Sequence, residues 1–201
     1  MFSVVAINGS PQLGSRTGFL LSHVMSAVTQ LFPATRATIN LAEAGTDVLL
    51  SMRRNELTPG GRRLTATVEE AELLLIGTPV YGGSYTGLLK HFLDLLNTER
   101  LAGKPAIIVA NGENRSHEHL IEQQLRPSLS VMGFRPLYPF IYGSDSDFET
   151  PGELSPRLLH VISEVADESF KTLLSTTYKS LESFSYASQS ATAIPGHRKD
   201  N

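Results

Sequence analysis

A short segment near the start of the chain, Asn8-Gly9-Ser10-Pro11-Gln12-Leu13-Gly14-Ser15-Arg16-Thr17, brings together residue types that hold an anion. An apolar, β-branched run from Phe2 to Ile7 leads into it, and a helical pattern of apolar residues follows. A helix starting there presents amides with no carbonyl partner in its own first turn, together with a partial positive charge. Hydroxyls at Ser10, Ser15 and Thr17 add donors, and Arg16 brings a guanidinium whose fork matches phosphate oxygens. The purely structural alternative is that Gly9 and Pro11 shape a turn, Ser15 caps the helix and Arg16 points to water.

Gly9 and Gly14 are spaced as in GxxxxGK[ST], but Ser15 stands where that motif needs a lysine on the terminal phosphates. A nucleoside triphosphatase also needs a metal-binding acid after a later strand, whereas the run Leu73 to Ile76 leads into Gly77-Thr78-Pro79. The dinucleotide fingerprint GxGxxG is absent as well. A mononucleotide phosphate fits better. Two more loops of the same kind follow apolar runs. Thr78-Pro79-Val80-Tyr81-Gly82-Gly83-Ser84-Tyr85-Thr86-Gly87 lets main chain approach a flat ligand, with amides for its polar edge and Tyr81 to stack or close the site. Asn111-Gly112-Glu113-Asn114 offers a third approach, with Glu113 expected as a solvated carboxylate.

These loops need a frame that brings them together. Phe2 to Ile7, Ala37 to Leu41, Leu73 to Ile76 and Ala106 to Ala110 read as buried strands, and Arg135 to Tyr142, with its two prolines, as an edge strand. Helical stripes lie between them: Phe19 to Phe32, Leu88 to Leu96, and Ser116 to Met132, the last expected to kink or break at Pro127. Asp47 to Arg63 reads as a solvated loop with a short helix. Ser155 and Pro156 cap a last helix expected to end near Tyr178, so that residues 1–178 form one domain and 179–201 a flexible tail. Alternating strands and helices imply a parallel α/β sheet with right-handed crossovers, whose ligands sit at the carboxyl ends of the strands where strand order reverses.

Composition narrows the chemistry further. Cysteine is absent, which excludes disulfides, thiolate metal sites, iron–sulfur clusters and a cysteine nucleophile. A net charge of −3 and a pI near 6.1 do not describe a nucleic-acid binder. No apolar run reaches the roughly eighteen residues of a membrane span, so no membrane partner and a cytoplasmic location are expected. His117 and His119, two apart on a helix, face different ways, and no metal site is expected.

Together these motifs resemble the NAD(P)H-dependent FMN reductases of the flavodoxin-like superfamily, most closely those serving alkanesulfonate or methanesulfonate monooxygenases. The likeness is carried by Gly9-Ser10-Pro11 with Ser15-Arg16, by Thr78-Pro79-Val80-Tyr81, and by Gly87-Leu88-Leu89-Lys90 with Phe92 to Leu96, and it spans residues 3–175. It implies a flavodoxin-like three-layer α/β sandwich with a five-stranded parallel sheet in the order 2-1-3-4-5. It also implies an FMN site with Ser10, Ser15, Arg16 and Thr17 on the phosphate. Gln12 belongs to the same loop, where some relatives carry Arg; losing that charge would weaken phosphate binding and suit an enzyme that releases its flavin. Pro79, Val80, Tyr81, Gly82 and Gly83 would border the isoalloxazine, with Asn111 and Gly112 beyond.

The implied reaction is hydride transfer from NADPH or NADH to FMN, the reduced flavin then leaving for a separate flavin-dependent monooxygenase, with no protein acid, base or nucleophile demanded. One alternative keeps FMN bound and reduces a quinone, azo dye or chromate. Another, an electron carrier of the flavodoxin type, would be strongly acidic and lack Arg in its phosphate loop. The likeness further implies a homodimer or homotetramer packed through Thr86 to Leu96.

Overall fold

The computed structural model describes the backbone of residues 1–149 and 152–191, with side chains except at 46 and 177–191. In the central strands, successive residues alternate between two buried faces. Val5, Ile7, Leu74, Ile76, Ala106 and Ile108 point into one core, and Val4, Ala6, Leu73, Leu75, Ile107 and Val109 into the other. Cover on both faces is what continuous apolar runs demand.

The strands are β1 (Phe2–Asn8), β2 (Ala34–Asn40), β3 (Leu73–Pro79), β4 (Pro105–Gly112), β5 (Arg135–Pro136) and β6 (Ile141–Ser144). All pair in parallel in the order β2-β1-β3-β4-β5, with β6 also on β4, which is the flavodoxin-like α/β order expected. Helices α1 (Arg16–Gln30) and α6 (Pro156–Ala191) cover one face through Leu20, Val24, Leu158 and Ile162. The other face is covered by α2 (Gly45–Leu49), α3 (Pro59–Glu70), α4 (Gly87–Asp94) and α5 (Glu118–Val131), through Val48, Val68, Phe92 and Leu125.

Several elements differ from the sequence reading. Asp47 to Arg63 is mostly helical: Thr58 accepts from the Gly61 amide at 3.0 Å and Pro59 takes the first position, so Pro59-Gly60-Gly61 opens α3 instead of making a turn. Arg54 is anchored there, donating to the buried Glu69 carboxylate, which also accepts from the Asn97 amide at 2.8 Å. β2 starts three residues earlier than its apolar core suggested, because an edge strand can pair with exposed Thr35 and Arg36. α5 runs through Pro127 without a break. Pro127 and Gln123, whose carbonyl it leaves unpaired, face solvent, while Ile121, Leu125 and Leu129 hold the buried side.

The fifth strand position is split in two. Pro136 and Pro139 have no N–H to donate, and the chain leaves the ladder after the Leu137 amide, which still donates to the Ala106 carbonyl at 2.8 Å; the Pro136 and Leu137 carbonyls are taken by Arg126 at 3.3 and 3.1 Å. α6 continues to Ala191 instead of stopping near Tyr178, consistent with the absence of Gly and Pro between Arg157 and Ile194; residues 192–201 lie outside the described residues.

β6 is fastened to the start of α6 by Asp147. Its carboxylate accepts from the Ser144 amide and hydroxyl at 2.9 and 2.7 Å, from the Ser155 hydroxyl at 2.7 Å, and from Arg157 at 3.0 and 2.6 Å. Burial alone would raise its pKa, but hydrogen bonds from Arg157, Ser144 and Ser155 override that and hold it well below the usual carboxylate range. A lowered native pKa stabilises the fold above the unfolded value of about 3.9, and that contribution is lost as pH falls through the native value. D147N is expected to lose about 3 kcal/mol at pH 7, the low end for breaking a buried pair because Arg157 stays partly exposed. Urea unfolding from pH 7 to 2 should show the gap between wild type and D147N closing only below about pH 4.

Candidate functional site

The register decides where the loops meet. Asn8 lies beside Gly77, Pro79 beside Asn111, and Gly112 beside Ser144, so the carboxyl ends of β1, β3, β4 and β6 form one row. The chain leaves β1 toward β2 on one side and returns to β3 on the other, which opens a crevice at that reversal. A cavity of about 400 Å3 lies there, lined by Ser10, Gln12, Gly14, Ser15, Arg16, Thr17, Pro79, Val80, Tyr81, Asn111, Gly112, Glu113 and Asp145. Its size is that of a small-molecule site.

The first wall is the start of α1. Ser15 is its N-cap, accepting from the Gly18 amide at 3.2 Å. The amides of Arg16 and Thr17 make no hydrogen bond among the described residues, as helix geometry requires of a first turn. Ser10 accepts from the Gln12 amide at 3.1 Å, which leaves its own proton to give. Thr17 is buried and donates to the Asn111 side-chain oxygen at 2.6 Å, joining the α1 start to the end of β4. The structural reading of Ser15 as a cap is therefore realised without occupying the Arg16 and Thr17 amides, since the cap uses only the Gly18 amide.

The second wall is the loop after β3. Tyr81 and Ser84 exchange backbone hydrogen bonds of 2.9 and 3.1 Å around Gly82 and Gly83, whose φ values of 56° and 77° are those of a tight hairpin turn that only glycine enters without strain. The Val80 amide is likewise taken, by the Asn111 carbonyl at 2.8 Å. Amides expected for the edge of a ring are thus committed to the loop at Val80 and Tyr81, while those of Gly82 and Gly83 make no hydrogen bond among the described residues. Gly82 and Gly83 stand beyond the cavity wall; the other predicted site residues, Ser10, Gln12, Ser15, Arg16, Thr17, Pro79, Val80, Tyr81, Asn111 and Gly112, line the cavity together. Thr86 braces the arrangement, donating to the Gly9 carbonyl at 2.6 Å and capping α4 through the Leu89 amide.

The third wall is the end of β4, with β6 behind it. Tyr142 is buried against Gly112, and its hydroxyl donates to the Asn114 carbonyl at 2.8 Å. Burial first, then Glu118 and Asp145, push its pKa up to about 12, so it stays a neutral phenol. Three lining residues escaped the sequence reading of the site. Gly14 sits in the loop before α1, Glu113 is expected from sequence as a solvated carboxylate, and Asp145, expected in a solvated acidic loop from Asp145 to Glu149, follows β6, which ends two residues later than expected. The rule that ligands gather at strand ends would have found Asp145 had that end been placed correctly.

The residues present suit a flat mononucleotide. A Cβ added at Gly112 would stand 2.4 Å from the Tyr142 hydroxyl, and the first-turn amides of α1 and the hydroxyls of Ser10 and Ser15 are available to a phosphate. G112A should therefore cost about 1–3 kcal/mol by overpacking against Tyr142. In a Y142F background, where the nearest remaining atom is 3.4 Å away, the same change should cost less than about 1 kcal/mol. Thermal unfolding of the four proteins measures that coupling.

Comparison with known proteins agrees with this geometry. Residues 2–147 match the family model described as NADPH-dependent FMN reductase. The chain is 32% identical over 148 residues to an FMN reductase (NADPH) of Pseudomonas aeruginosa, covering 74% of this chain and 80% of that one. It is also 32% identical over 165 residues to the NADH-dependent FMN reductase SfnF of Pseudomonas putida, covering 82% and 89%. A solved apo structure of an NADH:FMN oxidoreductase, EMOB, superposes with a TM-score of 0.76 at 30% identity, covering 87% of this chain and 90% of that one. Fold, crevice and likeness agree: this chain belongs to the NADPH-dependent FMN reductase family, NAD(P)H-dependent flavin oxidoreductases of flavodoxin-like fold.

Proposed function

We propose that the chain reduces FMN with NADH or NADPH and releases the reduced flavin to a separate flavin-dependent monooxygenase, one that degrades sulfonates. The observation that carries the reading is the start of α1, whose amides are free at the one crevice made by the row of strand ends. In this reading, Ser10, Gln12, Ser15, Arg16 and Thr17 hold the phosphate. Pro79, Val80 and Tyr81 flank the ring, the amides of Gly82 and Gly83 lie past the cavity wall at its edge, and Asn111 and Gly112 complete the far side. Bound FMN supplies the redox chemistry by taking a hydride from the nicotinamide. The protein orients the ring against backbone and offers donors to its polar edge, of which the Asn111 side-chain NH2 remains available while its oxygen is held by Thr17.

Release in place of retention is supported by charge. Among the described residues Arg16 is the one cationic side chain lining the cavity, and Glu113 and Asp145 line it too. Little beyond the helix start and the hydroxyls therefore opposes departure of a phosphate that carries between one and two negative charges. The sulfonate assignment rests on the sequence motifs alone. A second copy of the chain is expected to pack through Thr86 to Leu96, beside α2, at whose end Leu49, Leu50 and Met52 are exposed. No helix among the described residues is long and apolar enough to cross a membrane.

Desalted protein with NADH or NADPH is expected to be colourless and to oxidise the nucleotide at a rate that rises and saturates as FMN is added. No oxidation at any FMN concentration would overturn the reading. Yellow protein that turns over only with a quinone or azo dye present would replace it with a reductase that keeps its flavin.

A further inference from the structure

The cation at the α1 end of the cavity, the one among the described residues that line it, is already taken. Arg16 Nη1 lies 2.5 Å from Asp145 Oδ1, and its guanidinium rests 5.3 Å from the centre of the Phe148 ring. Asp145 lines the same cavity as the free α1 amides, so a carboxylate faces the place where the helix start would receive an anion.

Taking FMN reduction as the function, we propose that Asp145 sets how loosely the flavin is held: it competes with the phosphate for Arg16 and repels the phosphate directly, so the mononucleotide binds by displacing the Arg16–Asp145 pair.

The geometry supports both parts. The two side chains are 52% and 51% exposed, and an ion pair that open to water is weak enough to exchange partners. Arg16 has somewhere to turn, because it also lines a second cavity of about 320 Å3 beside Gly14, Ser15, Phe19 and Phe148. Asp145 does not have the same freedom. Its amide donates to the Glu113 carbonyl at 3.2 Å, and it begins the turn Asp145–Asp147 whose last carboxylate is fixed by Ser144, Ser155 and Arg157. When Arg16 moves to a phosphate, Asp145 therefore stays in place as an uncompensated negative charge. Glu113, also a carboxylate of the cavity, adds to the same repulsion, and no lysine among the described residues lines the wall to offset it.

The consequence concerns the phosphate and not the ring. Removing the charge at 145 should tighten FMN and leave a flavin without a phosphate unaffected, and the tighter product should leave more slowly.

The test is titration of the desalted full chain with FMN and with riboflavin, followed by quenching of flavin fluorescence, for wild type, D145N and D145S. Both variants are expected to lower the Kd for FMN about three- to tenfold while changing that for riboflavin by less than about twofold, as expected when one half-exposed charge is removed. Dissociation of FMN should slow by a similar factor. If D145N and D145S bind FMN no tighter than wild type, or bind it more weakly, Asp145 holds Arg16 ready for the phosphate and the proposal is overturned. Equal shifts for both flavins would overturn it too, since they would report a change in the fold of the pocket. A wild-type chain that binds neither flavin would refute the functional reading and this inference with it, whereas wild-type binding with unresponsive variants refutes the inference alone.

Discussion

A helix cannot satisfy the first amides of its own backbone, and in this protein that obligatory surplus is placed at the reversal point of a parallel sheet. The placement follows from register. β1, β3 and β4 are aligned so that Asn8, Pro79 and Asn111 end in one row, and α1 begins a few residues past the first of them. Two hydrogen bonds then lock the helix start to its neighbours: Thr17 to Asn111 across to β4, and Thr86 to the Gly9 carbonyl across to α4. Because both donors are buried, the amides of Arg16 and Thr17 are held at a fixed place without a ligand. Preorganisation of that kind lowers the entropic cost of binding.

The rest of the pocket uses backbone where side chains would obstruct. Gly9 donates to the Gly77 carbonyl at 2.8 Å, and an added Cβ there would come within 2.8 Å of both that oxygen and Leu89, so β1 can reach α4 only as glycine. Gly112 does the same against Tyr142. Charge is used sparingly by comparison. Asp147 and Glu69 spend their carboxylates on joining elements of the fold, while the cavity is left with Arg16, Glu113 and Asp145. That sparing use of charge is what the proposed release of reduced flavin rests on.

Much of this could be read before any coordinates. Leu73, Leu74, Leu75 and Ile76 announce a strand buried on both faces, and the loops after β1, β3 and β4 carry the glycines and hydroxyls that single out strand ends. Legibility failed where tertiary context overrules local pattern. Pro59-Gly60-Gly61 looks like a turn, yet after Thr58 it starts a helix whose apolar side meets the sheet at Val68. Pro127 looks like a break, yet it faces solvent on a helix already held by Leu125 and Leu129. The Gly82–Gly83 turn closes on itself because Tyr81 pairs with Ser84, a local contact that composition does not reveal. Asp145 belongs to an acidic run, Asp145 to Glu149, that reads as a solvated loop, and two prolines blur where the fifth strand ends just before it.

The most direct measurement is where a flavin phosphate sits. A crystal structure of the protein with FMN should show the phosphate within hydrogen-bonding distance of the Arg16 and Thr17 amides, with the Arg16 guanidinium turned from Asp145 toward it. A phosphate found away from the start of α1, with the Arg16–Asp145 pair intact, would contradict it.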